Sequence, residues 1–371
     1  MRDRVIANAD RALLDMAHHD GGIGFPGELH GSNYRSNSFR PVHSPDIFDT
    51  AIMTNQPVVL VVPPIAGGRL TDPELETWLS RGDDSLAPRD DNLLTRVLSE
   101  LGLAHAAEGL AALRYLGDTG NAANGFVCCA DPVHFQTRMR DLVVHSLSED
   151  QVTEAEVAAL METLQALLGG EQGVTFIAAG RHGYLLSDAP FETARIDTRS
   201  ASGTVADRFM PSGSPAREYH RLQSEIQMVL HDHAVNSERD KLSLPRISSL
   251  WFWGGGALPA EQPQALPPLS GKLGLLKGFW LHAGARVCEQ SGNSAGMLSP
   301  ATDSGVFDFT TLTNDELVAE LRTARQLLSR RRIRRLSVVS QDGVCVRLRH
   351  RHRWRFWKTG SPVLGVNEAD E

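Results

Sequence analysis

From residue 57 onward, two textures alternate along the chain. Short unbroken apolar runs stand at 57–62 and 250–253, the first rich in β-branched residues, and the mostly apolar 336–339 reads as a further buried strand. A strand with one face in water would alternate apolar and polar residues, so unbroken runs predict strands covered on both faces. Between them lie segments with an apolar residue every three or four positions, the period of one helix face. They predict helices over 73–81, 91–101, 106–116, 153–168 and 217–233. A further helix opens at the capping box Thr313-Asn314-Asp315-Glu316, with Leu317, Leu321, Ala324 and Leu328 as its stripe.

The middle of the chain is patterned differently. Residues 125–130 and 142–144 read as short strands, and 174–178 with 183–186 as a hairpin turning at Gly180-Arg181. The Ser/Gly/Pro-rich stretch 200–215 reads as a long loop, 279–283 as a strand, and 344–357 as the last strand. The order α/β, then α+β, then α/β predicts a mostly parallel sheet domain interrupted by a smaller α+β domain. The boundaries are 55–120 and 255–358 for the split domain and 121–254 for the insertion. Residues 1–54 read as an irregular N-terminal arm with a short helix over 6–16, and 359–371 as a C-terminal tail.

Composition adds a few bounds. The chain has 371 residues, 41% of them hydrophobic, enough to bury a sizeable core. No uncharged apolar stretch reaches the ~18 residues of a transmembrane helix, so no membrane partner is expected. The first residues lack the basic–apolar–small order of a signal peptide, and the expected location is cytoplasmic. None of Cys128, Cys129, Cys288 and Cys345 forms a C-x-x-C pair, so neither a zinc site nor a redox motif is indicated. Residues 22–27 match G-x-G-x-x-G, but no predicted strand precedes them and no predicted helix follows.

Charge is unevenly spread. The formal net charge is -8, yet residues 330–358 hold ten Arg and one Lys against the single acid Asp342, a local +10. Five of these, Arg347, Arg349, Arg351, Arg353 and Arg355, share one parity, so a strand over 344–357 places them on one face. Such a face either blocks sheet-to-sheet aggregation or meets an acidic protein partner or nucleic acid.

His231 and His233 are too close in sequence to share a helix face as a metal pair, and His233 falls on the apolar stripe of 217–233. Asn236 and Arg239 follow, an amide and a planar guanidinium suited to holding an anion; bracing of the loop before Trp251 is the rival role. Asp131 and His134 read either as loop caps or as ligand contacts, and Arg181-His182 either as an exposed turn pair or as part of an anion site.

The stretch His233-Ala234-Val235-Asn236-Ser237-Glu238-Arg239, then Pro245 and Ser248-Ser249-Leu250-Trp251-Phe252-Trp253-Gly254-Gly255-Gly256, resembles the archaeal-type cofactor-independent phosphoglycerate mutases. With Ala130-Asp131-Pro132-Val133-His134, Ser224-Glu225-Ile226-Gln227-Met228 and Trp354-Arg355-Phe356-Trp357, it is more similar to the RpfE-type bacterial regulatory family related to them. The resemblance spans 57–358 and implies an alkaline-phosphatase-like split fold, with Arg181 in the domain that helps hold a phosphorylated substrate. It also implies an Asp at the tip of the first strand, a Ser nucleophile and Asp/His ligands for two metals. Here Pro63-Pro64 stands at the first position and Ser340-Gln341-Asp342 at a later one, leaving only Asp308 and Asp342 as candidate ligands. The expectation is therefore a regulatory, catalytically degenerate protein without metal or cofactor, binding a phosphorylated small molecule or a protein partner. The alternatives left open are an active phosphomutase or phosphatase with another metal or nucleophile set, and nucleic-acid binding through Arg347–Arg355.

Overall fold

The computed structural model describes residues 56–64, 70–103, 108–139, 141–147, 151–170, 173–260, 265–288, 296–299 and 301–358. The N-terminal arm with its predicted helix, the 22–27 motif and the tail lie outside these residues. The strands are β1 (Val58–Val62), β2 (Asp83–Leu86), β3 (Phe126–Arg138), β4 (Asp141–Ser146), β5 (Val174–Ala179), β6 (His182–Ser187), β7 (Ser249–Gly256), β8 (Leu269–Ser270), β9 (Val287–Cys288), β10 (Gly305–Asp308), β11 (Arg335–Ser340) and β12 (Val344–Arg349). The helices are α1 (Pro73–Ser80), α2 (Leu93–Glu100), α3 (Leu110–Thr119), α4 (Glu154–Leu168), α5 (Thr198–Ala201), α6 (Arg217–His231), α7 (Ala234–Lys241), α8 (Gly274–His282) and α9 (Asn314–Ser329).

The first sheet has the order β2-β12-β11-β1-β10-β8-β9 and is mostly parallel. Its centre, β1, runs parallel to β10 and β11, with Val61 opposite Asp308 and Val62 opposite Ser340. β12 and β2 close one edge antiparallel. All five β1 side chains are buried, as an unbroken apolar run demands. Period two divides them between two cores. Val59 and Val61 face the core shared with the second sheet. Val58, Leu60 and Val62 face Leu75 and Leu79 of α1 and Leu317 and Leu321 of α9. Each fully buried Val or Leu contributes about 1.5–3 kcal/mol. α9 starts at the capping box read from the sequence: Thr313 accepts from the Glu316 N–H, and Glu316 accepts from the Thr313 N–H.

The second sheet is antiparallel, in the order β4-β3-β6-β5, with β7 also beside β3. β3 extends over 13 residues because it has partners along its whole length. β6 pairs with it from Phe126, β7 from Val127 to Val133, and β4 from Val133 to Arg138. Both sheets belong to one compact unit. They are tied together where α3 and α8 meet backbone to backbone. A Cβ added to Gly278 would lie 1.7 Å from the Leu113 carbonyl oxygen, and one on Gly117 would lie 1.9 Å from that of Gly274.

Four local expectations need correction. Residues 279–283 are not a strand: Phe279 and Trp280 are buried in α8, a helix so widely covered that its period is hidden. The helix expected over 217–233 stops at His231, and His233, in an extended conformation, opens α7 with its ring Nδ1 accepting from the Val235 N–H. A side chain that bonds nearby backbone, as His233 does here, competes with continuation of the helix. The stretch 200–215 carries short helical turns at Ala206–Arg208 and Ser214–Ala216 rather than being a plain loop. Finally, the last strand ends at Arg349, opposite Arg335, the first residue of β11. With no ladder partner beyond it, the chain turns into a 3-10 helix, His350–Trp354. Only Arg347 and Arg349 therefore lie on the strand; Arg351, Arg353 and Arg355 do not share its face.

Candidate functional site

The carboxyl ends of the parallel strands are where the sequence places the question of metal ligands. Asp308 ends β10, but both its oxygens are committed: Oδ2 accepts from the Lys272 and Leu273 N–H groups, and Oδ1 from the Thr310 N–H and hydroxyl. It anchors the start of α8. At the end of β11 the buried guanidinium of Arg96 donates to the Ser340 and Gln341 carbonyls at 2.9 and 3.1 Å. Burial lowers the pKa of Arg96, while Asp197, Asp342 and Asp91 raise it. The cation thus stands among these carboxylates at the strand ends. Among the described residues no group of three or more His, Cys, Asp or Glu side chains is placed to hold a metal ion. A two-metal cage does not fit this arrangement, since Asp308 has its lone pairs occupied and a fixed positive charge lies beside Asp342.

Asp197 links this end to a polar network under the second sheet. It caps α5, accepting from the Ser200 N–H, and the neighbouring Thr198 hydroxyl donates to Asp131 Oδ2 at 2.9 Å. Asp131 on β3 receives Arg114 of α3 through two parallel bonds of 2.9 and 2.6 Å, and the Trp253 indole N–H at 2.7 Å. The Arg114 guanidinium also lies 4.9 Å from the Tyr184 ring centre and 5.2 Å from that of Trp253. One helical turn on, Asp118 Oδ2 lies 2.6 Å from His182 Nδ1 and accepts the Tyr184 hydroxyl at 2.5 Å. Burial pushes the pKa of Asp131 up, but Arg114 overcomes this and holds it below the ordinary value; His182 does the same for Asp118. Burial pulls Arg114 down, and Asp131 more than reverses it. Burial also pushes the Tyr184 phenol up, so it donates as a neutral group. His182 is more open than Arg114, Asp118 or Asp131, with its side chain 29% exposed. Asp118 fixes its orientation, which leaves Nε2 as the ring atom that can meet a ligand.

The residues singled out in the sequence fall into separate places. Asp131 lies on β3, not in a loop, and its oxygens are filled by protein donors. His134, also on β3, has Nδ1 2.9 Å from the Arg246 carbonyl. His233 Nε2 lies 2.9 Å from the Thr163 hydroxyl. Asn236 and Arg239 are both 1% exposed on α7. Asn236 donates to the Leu230 and Ile247 carbonyls and accepts from the Ile247 N–H. Arg239 donates to the Pro245 and Gln151 carbonyls and to Glu156. These bonds to protein groups are the ones the bracing role requires. Arg181 sits exposed in the β5–β6 turn beside His182. Of the five arginines, Arg347 pairs with Glu100 and Arg355 with Asp83.

Arg96, Arg114 and Asp118 escape motif reading, yet they leave a signal. Arg96 and Arg114 are charges inside mostly apolar helical segments, 93–98 and 110–116, and Asp118 follows one turn after Arg114; burial of such charges requires a partner.

No family model matches the chain, and no curated protein does. Among solved structures it is similar to the PH0037 protein from Pyrococcus horikoshii, at 13% identity over 80% of this chain and 88% of that one, with a TM-score of 0.43. It is also similar to the cofactor-independent phosphoglycerate mutase from Thermoplasma acidophilum DSM 1728, at 16% identity over 79% of this chain and 90% of that one, with a TM-score of 0.36.

Proposed function

We propose that the chain is a regulatory, phosphoglycerate-mutase-like protein of the RpfE type, which binds a phosphorylated metabolite at the strand ends and does not transform it. On this reading residues 121–254 are an insertion into an alkaline-phosphatase-like sheet domain, and the ligand lies between the two. The observation that supports it is Arg96: a buried guanidinium at the carboxyl end of β11, with N–H donors beyond those that reach the Asn92, Ser340 and Gln341 carbonyls. A fixed cation there favours a phosphate and disfavours the dications of two-metal phosphoryl transfer. His182, oriented by Asp118, is the second group offered to the ligand.

A thermal-shift series with 3-phosphoglycerate, inorganic phosphate and manganese tests this. A ligand at about 100 times its Kd stabilises the native state by about 2.7 kcal/mol. The phosphorylated acid is expected to raise the Tm and manganese is not. A manganese-dependent rise with no response to 3-phosphoglycerate would favour the active-enzyme alternative.

A further inference from the structure

At the opposite end of the same strands lies a second surface. A groove of about 400 Å³ is lined by the start of β11, the end of β12 and the end of α2, with Arg335, Arg347 and Arg349 on its walls. Arg335 and Arg349 are directly opposed in the antiparallel ladder, a like-charge pair that costs stability unless something screens it. Arg347 is neutralised by Glu100, while Arg335 and Arg349 are exposed and have no carboxylate partner among the described residues. The chain leaving the groove carries Arg351 and Arg353, both exposed and likewise without a carboxylate partner among the described residues. Arg353 and Arg331 both act on the intervening His350, whose pKa burial and then these two charges lower, so the loop after α9 belongs to the same positive field.

The same segment exposes three large aromatic side chains. Trp354 is 64% exposed, Phe356 74% and Trp357 68%, although the backbone beneath them is pinned. Arg355 Nη1 binds Asp83 at 2.5 Å, and Lys358 Nζ binds the Gly82 carbonyl and Asp84 at 2.5 and 2.7 Å. The Arg353 guanidinium stacks 4.7 Å over Trp354. Anchored aromatics left in water mark a contact surface. Here they follow Arg349 of the basic groove closely along the chain, so an occupant of both must offer regularly spaced negative charge and flat rings.

We infer that this groove and the Trp354–Trp357 platform bind single-stranded nucleic acid, phosphates along Arg335, Arg349 and Arg351 and bases on the exposed rings. The chemistry is that of sequence-tolerant single-strand binding: a cationic track for the backbone and aromatic faces for stacking. An anionic membrane surface also combines negative charge with apolar contact. A concave groove walled by opposed arginines suits a thin polyanion better than a flat bilayer. The groove lies toward the start of β11 and Arg96 at its end, and the inference does not depend on the metabolite reading.

The test is fluorescence anisotropy of a labelled oligothymidylate and a labelled oligouridylate, with vesicles of phosphatidylglycerol and phosphatidylcholine as the third probe. Binding to one or both oligonucleotides is expected at about 50 mM salt, weakening linearly on a log–log salt plot. In R349A/R351A the slope should fall by about 0.7 for each phosphate contact removed. In W354A/W357A affinity should drop about tenfold or more with the slope unchanged, since stacking is insensitive to salt. These side chains are exposed, and unchanged circular dichroism and Tm will show the variants folded. No oligonucleotide binding at low salt, binding indifferent to both variants, or vesicle binding in place of oligonucleotide binding would each overturn the inference.

Discussion

Arg114 reaches Asp131 through a two-pronged ion pair, at 2.9 and 2.6 Å, that joins α3 to β3. Both side chains are largely buried, 8% and 13% exposed, so each charge depends on the other. Removing one partner strands a buried charge and costs about 3–5 kcal/mol, whereas replacing both with apolar residues of similar size is often close to neutral. Asp131→Ala is thus expected to lower the urea midpoint sharply and Arg114→Met/Asp131→Leu far less. Equal losses in the two proteins would mean that the pair contributes attraction beyond its own desolvation.

The same network sets an acid limit. Asp131 and Asp118 have folded pKa values below the ordinary 3.8, despite burial, because of Arg114 and His182. A depressed folded value gives stability that is full above the unfolded pKa of about 3.9 and is lost as the pH falls through the folded values. Unfolding free energy should therefore vary little through these groups between about pH 7 and 5 and fall below about pH 4. Asp118→Asn should flatten part of that fall, and an unchanged acid limb in this variant would remove Asp118 from the account.

Thiol reactivity should be sharply graded. Cys128 and Cys129 are fully buried, and burial pushes both thiols well up; burial and then Glu100 push Cys345 up to about 12. Cys288 alone is half-buried rather than buried. Because the thiolate is the reactive form, a chromogenic disulfide reagent should titrate Cys288 first and the other three only with denaturant. Fast reaction of more than one thiol in native buffer would contradict the burial described here.

Arg239 separates bracing from anion binding. Its donors go to Pro245, Gln151 and Glu156, an arrangement that a lysine ammonium at the end of a narrower stem cannot reproduce. Arg239→Lys is expected to cost about 2 kcal/mol by chemical denaturation, as for lost bonds to a charged group. Binding of 3-phosphoglycerate by the folded fraction should be unaffected. A variant of normal stability with weakened ligand binding would restore Asn236 and Arg239 to the anion site.

The joint between the sheets is equally specific. A methyl group on Gly278 would overlap the Leu113 carbonyl, with no side chain able to yield. Gly278→Ala should destabilise by about 1–3 kcal/mol or more through overpacking, measured as a shift in Tm. A neutral outcome would show that α3 and α8 can part without cost.

Much of this architecture was legible in apolar spacing. The unbroken run in β1 announced a strand covered on both sides, and the Thr313 box announced α9 at its first residue. Reading failed where burial hides the period, as in α8, and where a partner strand decides length, as at Arg349, since parity along one chain says nothing of where its neighbour begins. The candidate site was less legible. Asn236 and Arg239 are polar groups in a family-like motif, but their spacing cannot reveal that backbone carbonyls surround them. Arg96 and Arg114 carry no motif, and their roles appear only when helices α2 and α3 are laid across the sheets.

The central claim is that a resident cation at the strand ends binds a phosphorylated acid without metal-dependent turnover. Calorimetric titration with 3-phosphoglycerate, run with and without manganese and followed by an assay for 2-phosphoglycerate, addresses it directly. The account predicts saturable binding that manganese leaves unchanged, that is lost in a folded Arg96→Met variant, and that yields no 2-phosphoglycerate. Manganese-dependent conversion to 2-phosphoglycerate, abolished by Asp308→Asn, would contradict it.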